Sequence, residues 1–358
     1  VRESADAGER GGLTGGAMKM LNAAIIGGGA IHTCHVNALR QMPGVTLRAL
    51  VDIDSERGLK LAMAYQCRFY QDYLEMLLDG EIDVVHICTP HFEHKRMILA
   101  ALAAGKQVFC EKPVGMNGGE IAEIAMAAQN APGLLGVCYQ NRLNPTSQRI
   151  RRELAEGDHG RMLSIKAVLT WSRSGAYYTQ SPWRGRFATE GGSLLINQAI
   201  HTLDLMQWFA GGVTRLKGVV DSGELADVTE AEDSAMATLH FTNGARGLFY
   251  ASNCHTTDSP LLLEIHCENA TLQLVDNALW RIKNGERIKL VSDASPNGAA
   301  KSYWGLGHQH AIGDFYAALT DPDKADYNDI REAGKSLTLV EAIYRSSQMR
   351  QWIEINQQ

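Results

Sequence analysis

The sequence predicts an α/β protein in two parts: an N-terminal doubly wound parallel sheet, then a C-terminal α+β domain with a large, mostly antiparallel sheet. Three observations carry this. From residue 20 to about 140, short apolar runs alternate with helical stretches, as strands joined by crossover helices must. From about residue 160, β-type runs follow one another with few helices between, and Asn243-Gly244 marks a tight hairpin turn between two of them. The chain has 358 residues, a length that suits two domains.

The elements follow in order. Residues 1–18 are rich in Gly, Glu and Arg without periodicity and are expected to be a disordered leader, with Met18 or Met20 a natural start. The first domain is placed at 19–140 and the second at 141–358. A strand over 23–26 runs into glycines, and a helix over 30–41 stops at Pro43-Gly44. A strand over 47–51 leads to a helix that Ser55 can cap. A short helix covers 73–78, a strand over 84–88 ends in Thr89-Pro90, and an Ala/Leu-rich helix over 95–104 ends at Gly105. Strand 107–110, helix 120–129 and strand 134–139 complete the alternation. In the second domain helices are predicted near 145–154 and 194–209. Strands are predicted over 163–171, 216–220, 235–241, 245–251, 261–266 and 271–274, and a final helix covers 330–352.

Composition bounds the function. Hydrophobic residues make up 45% of the chain, enough for ordinary cores. The net charge is −6 with no basic stripe, which argues against a nucleic-acid partner. No apolar run approaches the roughly 18 residues of a membrane span, and no secretory h-region is visible. Cys34, Cys67, Cys88, Cys110, Cys138, Cys254 and Cys267 are scattered, odd in number and without C-x-x-C spacing. That argues against a disulfide framework or a zinc site and places the chain in the reducing cytoplasm.

The first strand runs into Gly27-Gly28-Gly29-Ala30-Ile31-His32. A dinucleotide pyrophosphate must approach backbone N–H groups at a helix N-terminus, and a side chain at Gly27 or Gly29 would obstruct the turn or that approach. His32 stands where the usual fingerprint has its third glycine. Asp52 follows the second strand, twenty residues beyond His32, where an acid accepts hydrogen bonds from the adenosine ribose and repels a 2′-phosphate. Asp54 offers the same chemistry two residues on. The reading is a Rossmann domain that prefers NAD to NADP.

Further motifs appear in a specific order: Gly27-x-Gly29-x-Ile31-x-x-x-His35, Thr89-Pro90-x-x-x-His94, Glu111-Lys112-Pro113, Gly191-Gly192 and His201-x-x-Asp204. With that order and spacing, residues 20 to about 350 resemble the glucose–fructose oxidoreductase/inositol dehydrogenase (Gfo/Idh/MocA) family. The resemblance implies roles. Lys112 reaches the hydroxyl being oxidised, and Glu111 contacts the nicotinamide-side ribose. Thr89, Pro90 and His94 border the cofactor with Gly27, Gly29, Ala30, Ile31 and Asp52, and Gln140 lies near the nicotinamide. Trp183 and Arg184 approach the cofactor from the second domain. His201 is the acid/base, with Asn197 beside it.

The chemistry agrees. Oxidising a secondary alcohol removes a hydride and a proton. Imidazole suits proton removal near neutrality, and an ammonium stabilises the developing alkoxide. On one helix, Asn197, His201 and Asp204 are expected to share a face. Many relatives carry Asp where this chain has Asn197; an amide can orient an imidazole but cannot take its proton, so a carboxylate relay at that position is in doubt. The stretch 171–209 looks most like members that oxidise nucleotide-linked sugars. No metal site is expected: His91 with His94, and His308 with His310, lack a completing ligand and read as packing or, for the second pair, substrate contact. Arg142, Arg149, Arg151 and Arg152 read as a solvated helix face. The leading function is an NAD-dependent dehydrogenase for a sugar, cyclitol or nucleotide sugar. An NAD-dependent glycosidase and a non-catalytic NAD-binding regulator stay open. One face of the second sheet is expected to pair copies into a homodimer or homotetramer.

Overall fold

The computed structural model describes residues 20–293, 306–321 and 326–355. The leader expected at 1–18 lies outside them. The first half runs β1 (Leu21–Ile26), α1 (His32–Arg40), β2 (Val45–Val51), α2 (Ser55–Tyr65), β3 (Arg68–Tyr70), α3 (Tyr73–Leu77), β4 (Val84–Ile87), α4 (His91–Ala103), β5 (Gln107–Glu111), α5 (Gly118–Asn130) and β6 (Leu135–Cys138). The strands form one parallel sheet in the order β3-β2-β1-β4-β5-β6. β4 and β6 are buried at every residue, as strands covered on both faces must be, and hence read as unbroken apolar runs. The strand order reverses between β1 and β4, and the carboxyl ends there open the crevice where such sheets bind ligands.

The second half opens with a 3₁₀ turn (Gln140–Leu143) and α6 (Pro145–Glu156), then β7 (Met162–Thr170) and α7 (Gly175–Thr179). The predicted helix over 194–209 proves to be a π-helical turn, Leu195–Ala199, continued by α8 (Ile200–Ala210). Strands β8 (Val213–Asp221), β9 (Ser234–Phe241), β10 (Arg246–Ser252), β11 (Leu262–Cys267), β12 (Thr271–Val275), β13 (Ala278–Lys283) and β14 (Glu286–Ser292) follow. Helices α9 (Gly307–Thr320) and α10 (Ile330–Met349) and the short β15 (Ile353–Glu354) close the chain. The sheet has nine strands, β14-β13-β12-β11-β7-β10-β9-β8-β15, antiparallel except where β7 meets β10. Helices α8 and α10 pack on one face. The other face leaves Leu163, Val219, Met236 and Leu248 between 41% and 56% exposed.

Two boundaries differ from expectation, and one helix, α9, was not expected. The helix placed at 95–104 starts at His91, because Pro90 sits at its N-cap and needs no N–H there. The last helix ends at Met349 on a left-handed Arg350, which frees Ile353–Glu354 to pair with β8. α9 does not pack with the second sheet. Its Ile312, Phe315 and Tyr316 join Ile25, Leu39 and Phe109 in one core cluster of the first domain. The chain thus returns to the nucleotide-binding half after β14 and goes back to the second sheet with α10 and β15.

Candidate active site

The glycine turn is built as its chemistry requires. Gly27 has φ +98°, and a Cβ there would lie 2.7 Å from the Cys88 carbonyl oxygen. Gly28, not singled out from sequence, is equally constrained: its Cβ would meet Leu61 and the Asp52 carboxylate. Gly29 faces open space and, with Ala30, is exposed at the carboxyl edge, with Ile31 at the α1 N-cap. His32, in place of the third glycine, fills its position with hydrogen-bond contacts to the Gly29 carbonyl and the Tyr65 hydroxyl. Bare backbone at a helix start fits a pyrophosphate.

Asp52 is buried at the end of β2. Its Oδ2 accepts from the Gly28 N–H (2.9 Å) and Arg57 Nε (2.8 Å). Its Oδ1 accepts from the Asp54 N–H (2.9 Å) and an Arg57 Nη (2.6 Å). Burial pushes this carboxyl up, but Arg57 and the two amides outweigh it and hold the group below the usual range. Asp54 caps α2. Asp52 therefore braces the glycine turn, and Arg57 is the neighbour sequence reasoning missed.

The Thr89 methyl packs against the Gly27 position, and Pro90 starts α4. His94 is fully buried, its ring nitrogens 2.7 Å from the Pro113 carbonyl and 2.8 Å from that of Thr89. His94 thereby ties the turn after β4 to the turn after β5. Glu111 is also a hub. His35 Nε2 lies 3.0 Å and His308 Nε2 3.4 Å from its Oε1. His35 faces His86, which faces the Tyr316 hydroxyl. Burial works against the Glu111 carboxylate, but the two imidazoles hold it well below the usual range. Cys138 joins Glu111 and His308, their ligand atoms all within 4.8 Å of one another; we read the cluster as a hydrogen-bonded brace, because His35 already occupies Glu111. Gln140 is buried beside Cys138, with the α9 start packed on its carbonyl.

The second domain delivers the rest. Lys112 Nζ donates to the Asn197 carbonyl (2.8 Å) and to its Oδ1 (3.1 Å). Burial pushes the Lys112 ammonium below the usual lysine range, opposed by Glu111 and Glu190. His201 is buried, edge-on to Tyr139, with Nδ1 lacking a hydrogen-bond partner among the described residues. Burial and then Lys112 push its pKa well below 6.5, so the ring is held neutral. Trp183 packs on His91 at 4.9 Å, and the Arg184 guanidinium lies over Tyr177 at 4.0 Å. Asn197 and His201 both lie towards Lys112, but Asp204 does not share that side. Asp204 is consumed by Arg142 Nε and Nη2, each at 2.7 Å, and by Ser336. Arg142 is accordingly buried, not part of a solvated face.

Sequence reasoning also missed Glu190 and gave Tyr177 no role, while His308, read there as packing or substrate contact, lies against Glu111. Glu190 hydrogen-bonds Asn197 Nδ2 at 2.5 Å, and the Tyr177 hydroxyl contacts the Asn197 and Gln198 amides. Only the Gly191-Gly192 pair hinted at a conformationally special turn next to Glu190. An ammonium and a neutral imidazole thus lie within electrostatic reach of each other, a pair suited to proton removal, in a chain whose glycine turn leaves bare backbone at a helix start.

A family model described as "Oxidoreductase family, NAD-binding Rossmann fold" matches residues 21–139, and one for the GFO/IDH/MocA C-terminal domain matches 147–273. The uncharacterized oxidoreductase YrbE of Bacillus subtilis is 30% identical over 63% of this chain and 65% of its own, so the match spans just under two thirds of that relative. Levoglucosan dehydrogenase of Pseudarthrobacter phenanthrenivorans is 24% identical over 95% of this chain and 99% of its own. The structure of the WlbA dehydrogenase from Bordetella pertussis, in complex with NADH and UDP-GlcNAcA, superposes with a TM-score of 0.84 at 24% identity, covering 94% of this chain and 98% of that one. At that identity the likeness establishes the shared fold.

Proposed function

The chain belongs to the GFO/IDH/MocA oxidoreductase family, and we propose that it oxidises a secondary hydroxyl of a sugar-like substrate, bound NAD taking up the hydride. Gly29, Ala30 and Ile31 would offer their amides to the pyrophosphate, with Gly27, whose N–H donates to the Val51 carbonyl, shaping the turn beneath it, and Asp52 would hold the adenosine ribose. Thr89, Pro90, Glu111 and Gln140 would line the nicotinamide end, with Trp183 and Arg184 closing it from the second domain. Lys112 donates to the substrate oxygen and stabilises negative charge as it develops. His201, held neutral, takes the hydroxyl proton. Asn197 fixes the Lys112 ammonium in place.

One observation carries the reading: Lys112, at the end of β5, meets the π turn that leads into His201, with Nζ 2.8 Å from the Asn197 carbonyl. The similarity to levoglucosan dehydrogenase supports a carbohydrate, and the WlbA likeness makes UDP-GlcNAcA a second substrate to try. We expect purified protein with NAD to produce NADH, read by absorbance, from a member of a panel of levoglucosan, UDP-GlcNAcA and cyclitols. Lys112→Ala and His201→Ala should each cut turnover by about a hundredfold or more with NAD affinity nearly unchanged. Wild-type rates in both variants would remove their assigned roles. Net NADH also separates a dehydrogenase from a glycosidase, which returns the hydride, and from a regulator.

No helix among the described residues is long and apolar enough to cross a membrane. The free thiols support a reducing compartment, and the cytoplasm is our reading. The open apolar face of the nine-stranded sheet supports a homo-oligomer.

A further inference from the structure

Asn197 is an amide caught between two charges. Its Oδ1 accepts from the Lys112 ammonium, and its Nδ2 donates to Glu190 Oε1 at 2.5 Å. The amide's orientation is therefore fixed by its neighbours: reversing it would point NH₂ at an ammonium and oxygen at a carboxylate. Glu190 is 1% exposed. Its Oε2 accepts from the Gly185 N–H at 2.5 Å. Both hydrogen bonds that reach the carboxyl group come from donors, the arrangement that suits its ionised form. Its backbone is anchored as well, with the Glu190 carbonyl 2.8 Å from His91 Nδ1 and the Phe92 N–H donating to Thr189 across the domain boundary. A rigid turn thus holds a buried acid one amide away from Lys112. An aspartate at 197 would put two carboxylates in contact, so the asparagine and the glutamate make sense as a pair.

We propose that Glu190 is a positioning residue for the oxidation: acting through the Asn197 amide, it adds to the negative charge of Glu111 and so helps keep Lys112 a cation aimed at the substrate hydroxyl. The carboxylate function doubtful at position 197 is thereby carried by residue 190. This rests on the reading of Lys112 as the group that meets the hydroxyl. Burial lifts the Glu190 carboxyl to about 7, against the pull of the Gly185 amide, Asn197, Arg184 and Lys112. The ionisable groups that face it are Lys112 from the first domain, Arg184 and Tyr177 around the aromatic turn, Tyr178 on α7, His91 on α4 and Tyr344 on α10.

The test reads Lys112 directly and needs no substrate. Protein carrying ¹³Cε-labelled lysine is loaded with NAD and titrated by NMR, the Lys112 signal being the one lost in Lys112→Ala. In Glu190→Gln the Lys112 midpoint should fall by about one pH unit, a tenfold change in ionisation. Adding Asn197→Asp to that variant should restore it, since the charge then sits directly on Lys112. A midpoint unchanged in Glu190→Gln, or lowered but not restored in the double variant, overturns the proposal. Should Glu190→Gln not fold, ¹³Cδ-glutamate labelling of the unsubstituted protein decides. A carboxyl titrating near 7 that moves in Lys112→Ala supports the coupling, and one that stays put refutes it. If the dehydrogenase reading alone failed, no panel substrate would yield NADH while the Lys112 midpoint still moved.

Discussion

Both oxygens of Asp52 are engaged by Arg57 and by the turn they steady, and this has a consequence for cofactor choice. The carboxylate repels a 2′-phosphate, while Arg57, 48% exposed at its side chain, is restrained from reaching one. Asp52→Ser removes the repulsion and releases the guanidinium. The ratio of NADPH to NADH dissociation constants, measured by fluorescence titration, should move toward NADPH by about tenfold or more, worth about 1.4 kcal/mol. An unchanged ratio would mean that Asp52 serves the turn alone. At this scale the sequence was readable where a residue sits in a motif at a strand end, as Lys112 and Asp52 do. It was unreadable where a partner comes from afar. Arg142 reaches Asp204 across 62 positions, and Glu190 reaches Lys112 only because the two domains close on each other.

The start of the π turn shows how an element stores an acid. Glu232 Oε1 accepts from the Leu195 N–H (2.7 Å), and its Oε2 accepts from the Tyr344 hydroxyl (2.5 Å). Burial raises its carboxyl from 4.5 to about 7. Below pH 4.5 the group is protonated whether the chain is folded or not. As pH climbs from 4.5 to 7 the unfolded chain gives up this proton and the folded one keeps it, so stability is lost, by roughly 3 kcal/mol at pH 7 and above. Glutamine can accept from Leu195 and donate to the tyrosine oxygen. Glu232→Gln should therefore match the unsubstituted protein in urea unfolding at pH 4.5 and exceed it by up to about 3 kcal/mol at pH 8; an equal difference at both would contradict the argument. Elements were legible where burial writes a period into the sequence. β14 was not, because it is exposed along most of its length and shows no alternation, although Asn284-Gly285, both with positive φ, mark the hairpin before it.

Over the whole molecule, the fold class and the two sheets were legible, because alternation in one half and clustered β runs in the other are long-range patterns. The exposed row Val219, Met236 and Leu248 crosses three adjacent strands of the open face. Covering it with a second copy would bury a continuous apolar surface. Light scattering should find a dimer or tetramer. Met236→Lys with Leu248→Lys should yield monomer, whereas a monomeric unsubstituted protein would exclude association through this face.

Helix α9 lies against Phe109 and Ile25, yet it is encoded after eight of the nine strands of the second sheet. During translation the six parallel strands leave the ribosome long before the segment that seals their flank. Until that segment emerges, the nascent nucleotide-binding half presents bare aromatic and aliphatic surface of the kind chaperones engage. The half made first thus waits for its own flank until most of the other sheet has been synthesised.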